Sequence, residues 1–301
     1  MPIVVCRVLY GAIYASVLFA VGCVPAERRL PSALREVSGA AVDGDVTYLI
    51  NDGGNAPVLF GLRQNRLVTT DTLAVPNEDW ESLARYADGT LCICDIGDNR
   101  AERPSVAFHF VSGVGSSSRG RPPAVRSIER RYPRSPVNAE ACYVWRDQLY
   151  VLTKAPAGLS PKPRTSYLYA VDTAGDGREA MTLVDSLTLE RRVVTGAAVL
   201  PEKHALLLVS YNYARLAGVW PITRTTLAQV GLERDGTFAE RAPILRKVRS
   251  PFALTQYEAI TPEYENSPHG SFALPGARIY SERTAWMAPR LRRVRRPRRL
   301  F

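Results

Sequence analysis

Carboxylate side chains stand at both ends of one short segment, residues 77–100 (NEDWESLARYADGTLCICDIGDNR). Glu81 lies near its start, and Asp95 and Asp98 lie near its end. Between them, two apolar runs flank Asp88-Gly89, a turn-forming pair, and this pattern is typical of a β-hairpin. A hairpin places the start of its first strand beside the end of its second strand, so we expect these carboxylates to share one rim. Clustered carboxylate oxygens can bind a hard cation such as Ca²⁺.

Weaker copies of this hairpin recur along the chain, which indicates an internal repeat. Each copy starts with an apolar strand, passes through a turn and returns to a polar segment. With residues 77–100 as the second copy, the others start at Val37, Asn138, Val194 and Gln256. Further strand-like runs lie between the copies, so each unit holds roughly four strands.

Four-stranded units repeated around a ring form a β-propeller, whose closure leaves only short, protected sheet edges. We therefore predict an all-β fold, a propeller of about five four-stranded blades over residues 37–294. The last unit has only Arg290 to Val294 for an outer strand, so the segment before Val37 could complete it and close the ring. The alternative is a β-sandwich or a pair of small β domains, which gives no reason for one hairpin to recur.

In a propeller, the first strand of each blade lines the central channel, so the hairpins should direct their polar ends to one mouth of it. The residues at the matching position of the five hairpins are Ser38, Glu81, Glu140, Thr195 and Glu258. The ends of the second strands add Asp52, Asn55, Asp95, Asp98, Asn99, Lys154, Asn212 and Glu282.

This polar rim has three interpretations. It could bind a divalent cation, for which the predicted ligands are Glu81, Asp95, Asp98, Glu140 and Glu258. It could be catalytic, with Glu81 or Glu140 as a base of raised pKa and Lys154 binding an anion. It could also be architectural, with the carboxylates accepting backbone N–H groups in turns and between blades.

Short motifs occur in a fixed order along the chain: D-W-E, D-I-G-D-N, N-A-E-A, T-K and V-T-G-A. They span Asp79–Glu81, Asp95–Asn99, Asn138–Ala141, Thr153–Lys154 and Val194–Ala197. In this order they resemble a family of bacterial exported β-propeller proteins that is distantly similar to calcium-dependent propeller phytases and esterase-like proteins. The resemblance covers roughly residues 30–282. It implies a propeller fold and export, and it leaves the activity open.

The amino-terminal segment is typical of a bacterial lipoprotein signal. Arg7 precedes an apolar run of roughly fourteen residues, Val8–Val21, which suits a signal peptide and is too short to span a bilayer as a helix. Gly22 then precedes Cys23, the residue that would be lipidated after cleavage. An ordinary cleaved signal and an uncleaved anchor are the alternatives, and all three place the folded part outside the cytoplasm.

We therefore predict a signal peptide over residues 1–22 and a tether over residues 23–36, attached to the membrane through lipidated Cys23. Val24 in place of an aspartate is typical of retention in the outer membrane, facing the periplasm, in a Gram-negative host.

Three cysteines remain in the folded part: Cys92, Cys94 and Cys142. Their odd number excludes a fully paired disulfide framework, and their spacing fits no zinc site. Cys92 and Cys94 point to the same face of one strand, which is poor geometry for a bond between them. We expect three buried thiols, with a disulfide from one of these two to Cys142 as the alternative.

The formal charge of +10 is concentrated at the carboxyl terminus, where seven arginines lie in the last dozen residues. Without them the charge is 10 − 7 = +3, so the body of the protein has no nucleic-acid signature. Residues 295–301 form a basic tail. Next to a lipid anchor, the stretch Arg290–Arg299 could contact anionic lipid headgroups.

The predicted function is that of an exported, lipid-anchored propeller that binds a protein or glycan partner, or acts as a scaffold, at the cell envelope. A divalent cation, with Ca²⁺ the expected ion, would lie at the channel mouth. The alternative is a calcium-dependent hydrolase of phosphate or carboxylic esters. The sequence leaves open whether the protein is an enzyme.

Overall fold

The strands of the protein form five four-stranded antiparallel sheets in a computed structural model of the chain. The structure describes residues 28–115, 121–155, 164–175, 177–216, 220–248, 256–263, 276–281 and 290–294. The predicted signal peptide (1–22), Cys23 and the basic tail (295–301) lie outside these ranges. In the described part of the chain, no helix is long and apolar enough to cross a membrane.

Within the residues that the structure describes, twenty strands make up the sheets, and β1 (Arg28–Arg29) is the first of them. Blade one contains β2 (Val37–Asp43), β3 (Val46–Asn51), β4 (Val58–Arg63) and β5 (Arg66–Thr72). Blade two contains β6 (Trp80–Arg85), β7 (Leu91–Asp95), β8 (Val106–Ser112) and β9 (Ala124–Arg130). Blade three contains β10 (Ala139–Trp145), β11 (Gln148–Thr153), β12 (Arg164–Val171) and β13 (Thr182–Leu189). Blade four contains β14 (Val193–Leu200), β15 (Ala205–Leu216), β16 (Trp220–Gly231) and β17 (Ile244–Lys247). Blade five contains β18 (Tyr257–Glu263), β19 (Gly276–Ser281) and β20 (Arg290–Val294), with β1 as its outermost strand.

The sheets form a closed ring. The first strand of each blade is an edge strand of its sheet. These inner strands, β2, β6, β10, β14 and β18, each contact the next one, and β18 contacts β2. The prediction of an all-β propeller of about five four-stranded blades is therefore confirmed.

Both ends of the described chain meet in blade five. Arg28 lies opposite Leu291 and Arg29 opposite Arg290 in the ladder between β1 and β20. After β1, the side chains of Leu30 and Leu34 are buried between blades five and one. The prediction that the segment before Val37 completes the last blade is confirmed. The propeller thus includes residues from the range predicted to be a tether.

Alternation along the strands supplies the apolar layer between each pair of blades. On β7, Leu91 and Ile93 pack toward blade one, whereas Cys92 and Cys94 pack toward blade three. Successive side chains of a strand point to opposite faces of the sheet, and a propeller blade has a neighbour on each face. The strands are therefore apolar at consecutive positions, which is why their runs in the sequence read as continuously hydrophobic.

Blade four departs from the predicted strand lengths. Its second and third strands are expected over Ala205–Val209 and Gly218–Ile222, but β15 and β16 are each 12 residues long. The residues of β15 after Tyr211 pair with β16 alone, so the two strands extend beyond the four-stranded part of the blade as a ribbon. Aromatic and β-branched residues continue through this region, which favours strand over loop.

A disulfide joins blades two and three. Cys94 on β7 is bonded to Cys142 on β10, while Cys92 is a free, buried thiol. The expectation of three free thiols is therefore wrong for Cys94 and Cys142, and the alternative pairing is the one observed. Cys94 faces blade three because of the strand alternation, and Cys142 occupies the facing surface of β10.

Removal of this disulfide should destabilise the propeller. The bond closes a loop over a sequence separation of 48 residues, for which the chain-entropy model gives a stabilisation of about 4 kcal/mol. We expect Cys94→Ala/Cys142→Ala to lower the thermal midpoint by roughly 10 °C. A reducing agent should lower the midpoint of the native chain and of the control Cys92→Ala, but not that of the double variant. Equal sensitivity of all three proteins to reduction would contradict this assignment.

Candidate functional site

Each of the five inner strands carries a β-bulge near its first residue. In β6, for example, Trp80 pairs with Asp95 and Ser82 with Cys94, so that Glu81 has no partner on β7. The residues skipped in this way are Ser38, Glu81, Glu140, Thr195 and Glu258. They are the same five residues that the repeat places at matching positions. A bulge releases one residue from the ladder and re-aims its side chain, and all five are buried.

The two hydroxyl groups of this ring connect neighbouring blades. Ser38 Oγ donates a hydrogen bond to the carbonyl oxygen of Trp80 at 2.5 Å. Thr195 Oγ1 donates in the same way to the carbonyl oxygen of Tyr257 at 2.8 Å. Each acceptor immediately precedes the bulged glutamate of the next blade. These hydroxyls therefore link the inner strands of neighbouring blades.

Three carboxylates come together at the junction of blades one and two. Asp52 follows β3, and Asp79 and Glu81 lie at the start of β6; one ligand atom from each lies within 4.8 Å of the others. Two glycines let the backbone approach this group. A Cβ atom on Gly97 would collide with the Asp79 carboxylate and lie 2.7 Å from Glu81 Oε1, and one on Gly53 would lie 2.5 Å from Asp79 Oδ1.

Glu81 is the most buried member of this triad, with 4% of its surface exposed. Burial raises its pKa well above the ordinary value, and repulsion from Glu140, Asp52 and Glu258 adds to the effect. Within the described ranges, no hydrogen bond or ion pair reaches its carboxylate. The site therefore favours either a proton on Glu81 or a cation beside it.

Asp79 is subject to the same forces in weaker form. Burial raises its pKa, and the charges of Asp95 and Asp98 act in the same direction. Arg103 and Lys154 oppose the rise through their positive charges, without cancelling it. Two neighbouring carboxyls of the triad thus have raised pKa values, because both are buried and both lie close to other carboxylates.

Lys154 partly neutralises the ring from the side of blade three. It follows β11, and its Nζ donates a hydrogen bond to Glu140 Oε1. Burial lowers the pKa of Lys154, but the charge and hydrogen bond of Glu140, together with the charges of Glu258 and Glu81, outweigh burial, and the net pKa is raised. Lys154 is therefore held as an ammonium group by Glu140, and binding an external anion would compete with that pair.

Tyr211 on β15 is a member of the site that the sequence did not predict. Burial, followed by the negative charge of Glu140, raises the pKa of its phenol. The ring packs edge-on against Tyr213, with centroids 5.4 Å apart. Tyr211 is consequently a neutral hydrogen-bonding group beside Glu140. Its position depends on the length of β15, which the sequence pattern underestimates.

Two of the predicted metal ligands have other partners. Asp95 accepts the N–H groups of Glu78 and Asp79, both at 3.1 Å, and Arg103 Nη1 lies 2.8 Å from it. Asp98 accepts the N–H groups of Glu102 at 2.9 Å and Arg103 at 2.8 Å. Both carboxylates shape the loops beside the triad. Burial opposes ionisation of Asp95, but its hydrogen-bonding partners lower its pKa overall.

The remaining predicted ligands lie around the triad. Glu140 and Glu258 raise the pKa of Glu81 through their charges, so they share its surroundings, but neither belongs to the group within 4.8 Å. Asp79 takes the place that the sequence assigned to Asp95. The D-W-E motif, which places Asp79 next but one to Glu81 in the sequence, is the signal that could have identified it.

Comparisons with known proteins support the fold and no further assignment. No protein-family model and no curated protein sequence matches the chain. Mannose phosphorylase MPT-4 from Leishmania mexicana, solved with a phosphate ion, has 11% identity and a TM-score of 0.52, covering 94% of this chain and 92% of its own. Virginiamycin B lyase from Staphylococcus aureus has 9% identity and a TM-score of 0.42, covering 90% and 88%.

A further match is the extracellular domain of a hybrid two-component system from B. thetaiotaomicron, with 13% identity and a TM-score of 0.37 over 85% of this chain. The chain spans 27% of that protein's length. At these identities the likeness is one of fold, and this protein is similar to distant members of the β-propeller class.

The raised pKa of Glu81 predicts a specific pH dependence of stability. A carboxyl whose pKa is higher in the folded state stabilises the fold below its unfolded pKa, and this contribution is lost as the pH rises through the folded value. In EDTA, we expect the thermal midpoint of the native chain to fall from about pH 4.5 upward relative to that of Glu81→Gln.

The exposed-residue variant Glu102→Gln is the matched control for this comparison and should follow the native profile. Thermal unfolding between pH 4 and pH 8 measures the difference. If the profiles of Glu81→Gln and the native chain run parallel throughout, Glu81 does not titrate abnormally.

Proposed function

We propose that the chain is an exported, lipid-anchored β-propeller that binds a divalent cation at one mouth of its channel and, through that mouth, a ligand or partner at the cell envelope. The observation that carries the cation site is the triad of Asp52, Asp79 and Glu81, whose ligand atoms lie within 4.8 Å of one another. Ca²⁺ is the ion that best fits this donor set.

The choice of Ca²⁺ rests on the chemistry of the triad. All three donors are carboxylates. Hard cations prefer such oxygen ligands, whereas softer transition metals prefer thiolate or imidazole ligands. Ca²⁺ accepts six to eight oxygen ligands in flexible geometry, at about 2.3–2.6 Å, whereas Mg²⁺ needs near-ideal octahedral geometry. A bound cation would also relieve the repulsion that Glu81 experiences from Asp52, Glu140 and Glu258.

A second candidate function is hydrolysis of phosphate or carboxylic esters at the same mouth. The raised pKa of Glu81 favours it, because a buried carboxyl that titrates closer to neutral pH can serve as a general base. Lys154 would bind the anionic part of the substrate once it leaves Glu140, and Tyr211 would donate a hydrogen bond. The binding function and the hydrolase share the cation and differ in turnover.

Export and anchoring are supported by the sequence alone. The apolar run before Gly22-Cys23 is the basis for both, and an anchor there would hold the propeller at the envelope, facing the periplasm if the host is Gram-negative. A protein or glycan partner suits this location. The arginines of residues 290–299 would add contact with anionic lipid headgroups.

Calcium should stabilise the native protein through the triad. A ligand that binds only the folded state at 100 times its Kd contributes about 2.7 kcal/mol, which corresponds to a rise in thermal midpoint of roughly 5–10 °C. Asp52→Asn, Asp79→Asn and Glu81→Gln should each lose most of this rise. Thermal unfolding in EDTA and then with added Ca²⁺ is the measurement.

Asp98→Asn is the matched control, because Asp98 lies near the triad but binds loop N–H groups. It should lower the midpoint in EDTA and keep the calcium response. No response of the native chain to Ca²⁺ or other divalent ions would refute both candidate functions at this site. A calcium response with no turnover of a panel of phosphate and carboxylic esters would leave the binding function alone.

Lipidation of Cys23 can be tested separately. We expect metabolic labelling with a palmitate analogue to mark the native chain and not Cys23→Ser, because the thiol is the acceptor of the lipid. The native chain should sediment with membranes, and Cys23→Ser should be released. If the Cys23→Ser variant is still labelled, Cys23 is not the lipidated residue.

A further inference from the structure

The half of the channel nearer the hairpin turns contains a cavity of about 730 Å³. Its wall starts two residues beyond the ring of bulged residues. The first layer consists of Ala40, Leu83, Cys142, Ala197 and Ile260. The next layer, two residues further, consists of Val42, Arg85, Val144, Val199 and Pro262. The residues between the two layers, Ala41, Ala84, Tyr143, Ala198 and Thr261, line the cavity as well. Because side chains repeat every two residues along a strand, each layer adds about 7 Å of depth.

The size and lining of this cavity suit the apolar part of a small molecule. Binding pockets for small ligands occupy about 300–1,000 Å³ and have mainly apolar walls with a few polar groups. Small side chains, including Ala40 and Ala197, leave the axis open where longer ones would fill it. The one charged side chain in the two layers is Arg85, and Asp43 neutralises it at 2.6 Å.

The rim of the cavity presents a cation that is not neutralised in this way. Arg146 lies in the turn between β10 and β11, and its guanidinium carbon is 5.7 Å from the centroid of the Trp145 ring. His204 packs edge-on against the same indole, with ring centroids 5.7 Å apart. Arg146 forms no ion pair with any residue of the described ranges, although the exposed Asp147 is its neighbour in the turn.

The two ends of the channel therefore impose one orientation on a charged amphiphile. The floor lies next to Glu81, Glu140 and Glu258. Lys154 offsets the charge of Glu140, and without a bound cation Glu81 and Glu258 disfavour a carboxylate there. The rim carries Arg146, which attracts one. An anionic amphiphile would enter with its chain first and leave its head at the rim, whereas a cationic one would be drawn toward the floor.

We propose that this half of the channel binds a medium-chain fatty acid, with the acyl chain along the two apolar layers and the carboxylate beside Arg146 and His204. The site is separate from the triad and does not depend on a cation there. The four residue steps from Ala40 to Gly44 on blade one correspond to a depth of about 13 Å, which accommodates a chain of moderate length and not a folded partner.

Binding of three probes with the same chain length tests the proposal: decanoate, 1-decanol and decylamine, each below its micellar concentration. Isothermal titration of the full mature chain should give at least fivefold tighter binding for decanoate than for decanol, with decylamine weakest. Asparagine tolerates the left-handed backbone of this turn (φ 49° at Arg146). Arg146→Asn should therefore reduce the affinity for decanoate to that for decanol. Arg66→Asn, on the outermost strand of blade one, is the matched control and should change neither the affinity for decanoate nor that for decanol.

Val42→Phe fills the second layer and should abolish binding of decanoate and decanol. Its thermal midpoint and its calcium response report whether the fold and the opposite end of the channel are intact. Five results would each overturn the proposal: no binding of any probe, equal affinities for decanoate and decanol, tightest binding of decylamine, a decanoate preference that survives Arg146→Asn, or binding that survives Val42→Phe in a folded protein.

Discussion

The polar chemistry of this propeller depends on the bulge at the start of each inner strand. Along a regular strand, side chains alternate between the two faces of the sheet, and both faces of a blade are packed against neighbouring blades. A glutamate in regular register at this position would enter an apolar interface. The unpaired residue of a bulge escapes that alternation, so Glu81, Glu140 and Glu258 can occupy the channel without disrupting the apolar layers on either side.

The cost of this arrangement is electrostatic, and the blades share it unequally. At 4 Å, two like charges near a protein surface repel by about 4 kcal/mol for an effective dielectric constant of 20. Five carboxylates at one ring would therefore strongly destabilise the folded protein. Serine and threonine replace two of them, and their hydroxyls stabilise the blade junctions instead. Lys154 offsets Glu140. The charge that remains is concentrated at the triad.

Most of the fold was predictable from the sequence because each blade depends on local signals. Turn residues such as Asp88-Gly89 and apolar runs of strand length locate the hairpins, and their repetition identifies the ring. The sequence does not predict the ribbon in blade four, because Pro221 and several polar residues interrupt its apolar pattern. The backbone nevertheless continues as strand through these positions. The disulfide depends on which faces of β7 and β10 meet, which no single segment of sequence specifies.

The candidate site was predictable only in part, for a related reason. The matching positions of the five hairpins follow from the repeat, so Glu81, Glu140 and Glu258 could be grouped in advance. Whether a nearby carboxylate faces the channel or accepts backbone N–H groups depends on the path of the loops. Asp95 and Asp79 illustrate this. Asp95 accepts the N–H groups of Glu78 and Asp79, and the backbone held in this way directs the Asp79 carboxylate toward the triad.

The pairing of β1 with β20 has a consequence for the way the chain reaches its folded state. Four blades are built from consecutive segments, whereas the fifth requires residues from both ends of the described chain. Pairing across such a sequence separation has a large loop-closure entropy and is slow compared with hairpin formation. The last blade can therefore form only after synthesis has passed Val294, and until then the apolar faces of blades one and four remain open. A chain of this topology would need protection from aggregation during that interval.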